Sequence, residues 1–469
     1  MPYSSTLPSN NLIMSEQEFV SRRQRLLAQL PANAIAVIPA AQEVVRSNDT
    51  EYHFRQNSDF FYLTGFNEPD AFLILSNQAE LLTHLGDDDD GAVSSAMFVR
   101  PKDESAEIWH GRRLGVDAAP SVLGVDVAYS IDDIEEVLPA LLNAHAYLYY
   151  QLGANANADT IVQGALHVVN KAPKQSMQAP TSIVDVSGLI HAMRLIKSPA
   201  ELAIMQQSAN ISCTAHMNAM QLCEPGVFEY QLEACILHSF AMQGARFAAY
   251  NTIVGSGNNA CILHYTENAD ALNSGDLVLI DAGSEFNGYA ADITRTFPVN
   301  GTFSDAQREI YQLVLDAQLA SIDVLVPGNC IGDAMDIAVR IITQGLLDLG
   351  ILHGDIEACI KREAHKSFFM HGLGHYLGLD VHDVGNYKMP SSTQPNSPMQ
   401  DAPLKPGIVM TVEPGIYIAE NAEAPEQYKG IGVRIEDNIV ITDTGNKVLT
   451  QKVPKTIADI EALMASRQN

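Results

Sequence analysis

The stretch Asp276–Phe297, DLVLIDAGSEFNGYAADITRTF, decides the fold of the second half of the chain. It opens with a near-continuous apolar run, Leu277-Val278-Leu279-Ile280, that delivers Asp281 at its end. Asn287-Gly288 follows, the pair best suited to a two-residue hairpin turn whose central positions both need positive φ. With that turn, Phe286 faces Tyr289, Gly283 faces Asp292 and Asp281 faces Thr294. Side chains alternate along a strand, so Asp281 and Asp292 lie diagonally on one face of one hairpin, with a glycine opposite the second to leave space. Two carboxylates that close repel unless a proton or a cation sits between them. The alternative is a pair of solvent-facing aspartates at strand ends, which a strongly apolar lead-in strand argues against.

Working outward, 469 residues exceed one ordinary core, so two domains are expected. The expected division is a loose N-terminal tail over 1–14, an α/β domain over 15–192 and an α+β domain over 193–469, with Met14 an alternative biological start to Met1. In the first domain, apolar runs at 34–38, 71–75, 96–99 and 146–150 read as strands, and 15–30, 132–144 and 157–171 as helices. Arg22, Arg23 and Arg25 mark 15–30 as a surface helix. The polar and aromatic stretch 46–70 is an odd composition for plain core. In the second domain, Ser198-Pro199-Ala200-Glu201 is a capping box with proline at the first helical position. Helices are expected to about 221, then over 228–244, 304–326 and 331–350, and strands over 408–412, 433–435 and 438–441. Strands in runs and helices in runs predict an antiparallel sheet. The Pro-, Ser- and Gln-rich segment 386–407 reads as a surface loop.

A formal charge of −28 argues against nucleic acid and anionic membrane surfaces as partners, and no apolar run is long enough to suggest a membrane span. Most of the acid reads as solvated surface, including the run Asp87–Asp90, taken as a loop. The six cysteines, all after residue 212, form no CxxC pair, and the N-terminus lacks a signal-peptide layout. Both point to a reducing cytoplasm.

Further residues join the two aspartates. His371, His375 and His382 fall within FFMHGLGHYLGLDVHDVG, whose glycines at 372, 374 and 378 argue against a regular helix and for close backbone approach. Glu413 ends a strand and is followed by Pro414-Gly415. Arg434 and Glu436, two apart on a strand, share a face; a simple ion pair between them is the bland alternative. If Asp281, Asp292, His375, Glu413 and Glu436 converge, four carboxylates and one imidazole form a hard, oxygen-rich donor set. That set suits Mn²⁺, with Co²⁺ or Zn²⁺ as alternatives, and four acids call for more than one divalent ion. Two ions about 3.5 Å apart share a bridging hydroxide and clamp a carbonyl.

These motifs resemble the pita-bread metallopeptidase family, which holds aminopeptidase P, prolidase, methionine aminopeptidase and creatinase. The resemblance spans about 15–464 and rests on NTIVGSGNNACILHYTEN, LVLIDAGSEFNGYAADITRTFPVNG, FFMHGLGHYLGLDVHDVG, TVEPGIYI and GIGVRIEDNIVIT. RQNSDFFYLTGFNEPDA in the first half points to the aminopeptidase P branch. The resemblance implies a curved antiparallel sheet covered by helices, and hydrolysis of an N-terminal Xaa-Pro bond by a metal-bridging hydroxide. It implies that Asp281 binds one ion, His375 and Glu413 the other, and that Asp292 and Glu436 bridge. Glu413 is then the proton acceptor, His371 and His382 line the reaction centre, His264 flanks the proline ring and Arg434 orders the surroundings. It also implies a homo-oligomer, dimer or tetramer, whose N-terminal domain narrows a neighbouring site. Trp109 is either a pocket residue there or a packed aromatic. Two other readings share the fold: a prolidase confined to Xaa-Pro dipeptides, and a noncatalytic peptide-binding module.

Overall fold

A computed structural model describes residues 14–78, 93–172, 174, 176–390 and 399–466. The tail 1–13 and the run Asp87–Asp90 lie outside the described residues. Two compact units emerge, Met14–Met193 and one that contains Arg194–Asn469.

The first unit is built on a mixed six-stranded sheet. Its spatial order is Val127–Ser130, Ser95–Val99, Phe72–Ser76, Ala34–Pro39, Tyr147–Tyr149, Ser182–Val184. Phe72–Ser76 runs antiparallel to both its neighbours, and the remaining pairs are parallel. The central strands AIAVIP and FLILS read as continuous apolar runs because both faces are covered. Helices Ile134–Leu142 and Ala156–Lys171 bury Leu138, Leu141, Val162 and Val169 against Val37, Ile74 and Phe98. Two expectations are corrected here. In Glu16–Leu27, Arg22 and Arg23 are buried and not on the surface. Their guanidinium groups donate to the carbonyls of Tyr62, Leu63 and Leu123, which end elements packed on that helix. Within 46–70, the helix Ser58–Thr64 supplies Phe60, Tyr62 and Leu63 to the core.

In the second unit every strand pair is antiparallel. Asn287 and Gly288 both have positive φ, 49° and 82°, and the turn sets the whole ladder. Phe286 pairs with Tyr289, and Asp281 with Thr294, so one register runs the length of the hairpin. The hairpin crosses two small sheets. Leu277–Asp281 and Thr294–Pro298 pair beside Ile253–Ser256, and Ser284–Phe286 and Tyr289–Ala290 pair beside Phe247–Ala248. Gly283 sits at the junction, where an added Cβ would lie 1.7 Å from the Ala291 carbonyl oxygen. The glycine is therefore required by backbone contact and not, as expected, by room for the Asp292 carboxylate.

The long helices cover the sheet's outer side and are tied to it by polar contacts. Pro199–Leu222 starts at the Ser198–Glu201 capping box, and its Ser208 and Ser212 hydrogen-bond Ser284. Asp305–Val324 presents Gln318 to Asp437. Glu229–Met242 and Ile331–Asp348 complete the layer. The strands Val409–Val412, Gly415–Ile418, Ile431–Arg434 and Asp437–Ile441 close the unit. The segment 386–407 is not wholly loop: Lys388–Pro390 pairs with Met399–Asp401.

Candidate metal centre

Alternation along the strand Thr294–Pro298 sends adjacent side chains in opposite directions. Thr294 points inward, accepts from Arg434 Nε at 3.0 Å and donates to Glu436 Oε2 at 2.6 Å. Arg295 points outward, fully buried, and bonds Asp437 at 2.7 Å while donating to the Glu436 carbonyl at 2.6 Å. Lys455 reaches the same Asp437 at 2.7 Å, and the two cations hold that carboxyl below the usual range despite burial. The backbone carrying Glu436 is thus pinned from behind. Arg434 and Glu436 do not share a strand: Ile431–Arg434 ends before the break in which Glu436 lies. Nor does Arg434 pair with Glu436; its Nη2 contacts Asp281 Oδ2 at 2.6 Å.

Asp292, His375 and Glu436 bring ligand atoms within 4.8 Å of one another. His375 Nε2 lies 3.4 Å from Asp292 Oδ2 and 3.5 Å from Glu413 Oε1. His375 is held because Gly374 lies against the Thr411 carbonyl, where a Cβ would come within 2.1 Å. Thr411 then holds both backbone groups of His375: its N–H donates to His375 O, and its side-chain Oγ1 accepts from His375 N–H. The same Thr411 hydroxyl donates to Glu413 Oε1 at 3.2 Å. Nδ1 of His375 is 3.0 Å from the Tyr376 carbonyl, which orients Nε2 toward the carboxylates, as a metal-binding imidazole requires. The His382 ring stacks on His375 with centroids 3.9 Å apart and 8° between planes.

Asp281, Asp292, Glu413, Glu436, His264, His371, His375, His382 and Arg434 all line one cavity of about 950 Å³. Trp109 is not among its lining residues; it stands 82% exposed on the first unit, so it is not a packed aromatic there. Three groups at the site escaped the sequence reading. The Tyr250 hydroxyl lies within hydrogen-bond reach of both carboxylates, 2.6 Å from Asp281 Oδ1 and 2.5 Å from Asp292 Oδ1. Tyr417 accepts from Arg434 at 3.0 Å and lies 2.8 Å from His371 Nε2. Thr294 is the third. Tyr250 precedes the strand that pairs Ile253 with Asp281, so its approach follows only from that pairing.

The electrostatics are those of a cation site. Burial, then the Asp281 charge, raises Asp292; burial, then Asp292 and Glu413, raises Glu436. Burial is also the main cause that lifts Glu413 to about 7. For His375, burial alone would lower the pKa, but the hydrogen bond and charge of Asp292 carry it up to about 9. Burial and then Arg434 push His371 down to about 4, so it is neutral at pH 7. Folding therefore favours the protonated forms of Glu413 and His375. Stability from Glu413 is full below its unfolded value of 4.5 and is lost as pH rises through about 7. That from His375 is full below 6.5 and lost as pH rises through about 9. Divalent cations replace those protons and bind more tightly across the same window. The chelated protein is accordingly expected to melt at lower temperature at pH 9 than at pH 6, with the gain from added Mn²⁺ growing over that range. A gap between chelated and Mn²⁺-loaded melting curves that is constant with pH would contradict this charge reading.

A curved antiparallel sheet backed by helices, with a buried carboxylate–histidine cluster at the floor of a cavity, defines a metallohydrolase of pita-bread type. The model of metallopeptidase family M24 matches residues 203–443, and that of the aminopeptidase P N-terminal domain matches 19–149. The chain is 51% identical to the Xaa-Pro aminopeptidase of Escherichia coli, covering 97% of this chain and 98% of that one. It is 50% identical to the Xaa-Pro aminopeptidase of Haemophilus influenzae, covering 96% and 98%. A zinc-substituted E. coli aminopeptidase P in complex with product superposes with a TM-score of 0.91 over 97% of this chain and 99% of that one, at 51% identity. The chain belongs to metallopeptidase family M24.

Proposed function

We propose that this chain is an aminopeptidase that hydrolyses the bond between an N-terminal residue and a following proline. The observation that carries the reading is the Asp292–His375–Glu436 cluster on a cavity floor. It occurs in a chain half-identical, end to end, to relatives named for that activity. The buried, proton-hungry carboxylates and the correctly turned His375 fit a pair of divalent ions, with Mn²⁺ suited to the oxygen-rich donors. In this assignment Asp281 would serve one ion, His375 and Glu413 the other, and Asp292 and Glu436 both. When bound, such ions supply an acidified water and polarise the scissile carbonyl.

The chain's own groups do the rest. Glu413, held by the Thr411 hydroxyl, accepts the proton of the attacking water and returns it to the departing proline nitrogen. His382, fixed against His375, hydrogen-bonds the carbonyl oxygen as charge develops there. His371, tethered through Tyr417 and Arg434 to Asp281, keeps its neutral ring 4.0 Å from Glu413. His264 on the cavity wall offers a flat face to the proline ring. Proline lacks an amide N–H and has a locked φ, so a site shaped for it takes bonds that general aminopeptidases handle poorly.

A length assay tests the reading. A Xaa-Pro-Xaa tripeptide is expected to be cleaved in Mn²⁺ and spared after chelation. Cleavage of Xaa-Pro dipeptides alone would make the enzyme a prolidase, and metal-independent binding without cleavage would make it a peptide-binding module.

The assembly proposed is a homo-oligomer, dimer or tetramer, which exposed Ile108 and Trp109 on the first unit support. Light scattering at the monomer mass would rule it out. Six free cysteines support residence in a reducing cytoplasm. No helix among the described residues is long and apolar enough to cross a membrane.

A further inference from the structure

The cavity is strongly acidic, lined by Asp281, Asp292, Asp401, Glu413 and Glu436 in a chain of net charge −28. Among the described residues lining it, the lysines and arginines are Arg434 and Lys388. Arg434 is buried and engaged by Asp281, Thr294 and Tyr417. The Lys388 side chain is exposed, and its ammonium has neither a hydrogen-bond nor an ion-pair partner among the described residues.

The backbone that presents it is well anchored. Tyr387, the preceding residue, stacks on Tyr376 with centroids 4.3 Å apart, and its hydroxyl accepts from the Tyr376 N–H at 2.8 Å. Lys388 itself pairs in register with Asp401. The acidic neighbour does not neutralise it: the Asp401 carboxylate turns toward Gly332 and Cys330, whose thiol is 3.8 Å from it. With Asp281, Asp292, Glu413 and Glu436 assigned to the ions and Arg434 engaged, the Lys388 ammonium is the cation left at the cavity wall to meet an anionic ligand group. The anionic group common to unmodified peptides is the C-terminal carboxylate.

We propose that Lys388 receives the α-carboxylate of short peptides, making it a specificity residue for substrates with a free C-terminus. The assignment rests on the aminopeptidase reading above and deepens it. A lysine suits the task because a point charge on a flexible four-carbon stem tolerates more than one peptide length. A bidentate guanidinium would impose a narrower geometry.

The test compares one Xaa-Pro-Xaa tripeptide as free acid and as C-terminal amide, in Mn²⁺ at low ionic strength. The enzymes are wild type, Lys388→Met and Lys388→Arg. An exposed ion pair supports a preference of about three- to five-fold in kcat/KM. Wild type is expected to favour the acid by that factor, through KM with kcat unchanged, and to lose the preference as salt screens the pair. Lys388→Met is expected to bring the ratio to about one, and Lys388→Arg to restore it. The same acid-to-amide ratio in wild type and Lys388→Met overturns the assignment. If all three enzymes cleave the acid and the amide equally well, only the carboxylate subsite falls. If wild type cleaves neither peptide, the functional reading falls with it.

Discussion

Glu413→Gln is expected to lower kcat on a Xaa-Pro-Xaa peptide by about 10²–10⁴-fold, the range a positioned acid–base group commands. The amide keeps the shape of the carboxyl and can still meet the Thr411 hydroxyl that bonds Oε1 in the native chain. It cannot take up a proton. Burial lifts the Glu413 carboxyl of the ion-free site to about 7, and bound cations displace that proton, leaving a carboxylate able to accept one. At saturating Mn²⁺ the loss should fall on kcat, with the melting temperature of the chelated protein unchanged or raised, because a buried charge has been removed. A variant with native kcat in Mn²⁺ would show that Glu413 does not move the proton.

Asp292→Asn is expected to cost still more, through the metal. Losing a partner that only orients a metal ligand costs about 10–100-fold. Asp292 is placed to be a ligand shared by both ions, so its loss should exceed that range in both affinity and activity. Its setting separates this effect from misfolding. The backbone N–H of Asp292 donates to Asn438 Oδ1 at 3.0 Å, and Asn438 donates back to its carbonyl. Those bonds survive the substitution. The side chain is buried beside Asp281, and repulsion from that charge already raises its proton affinity. The neutral amide removes the repulsion with Asp281 and also the charge that holds His375 protonated, so the chelated protein should melt close to wild type, while the stabilisation by Mn²⁺ shrinks. A chelated variant that melts well below wild type would instead assign Asp292 a structural role.

Much of this site was legible in the sequence because local rules set long stretches of it. The Asn287-Gly288 turn admits one register, and that register carries Asp281 and Asp292 to the same face. The capping box at Ser198 and the apolar runs marked helices and strands by short-range chemistry. What escaped depends on contacts distant in sequence. Tyr250 reaches both aspartates only because Ile253 pairs with Asp281 across a sheet. Alternation, which puts residues two apart on one face, suggests that Arg434 lies beside Glu436. The strand ends at Arg434, so the rule does not extend to Glu436, and the guanidinium turns to Asp281 instead. The paired strands at 388–390 and 399–401 lie in a Pro- and Ser-rich segment whose composition suggests only loop. Arg22 and Arg23 look like surface residues because their acceptors are main-chain carbonyls, which leave no mark in the sequence.

The central claim is a cage formed by Asp281, Asp292, His375, Glu413 and Glu436 around two cations. Elemental analysis of the Mn²⁺-loaded, desalted protein tests it most directly. The account predicts two manganese ions per wild-type chain, with the content reduced in Asp292→Asn. A wild-type chain that retains none, or an Asp292→Asn chain that retains both, would contradict it.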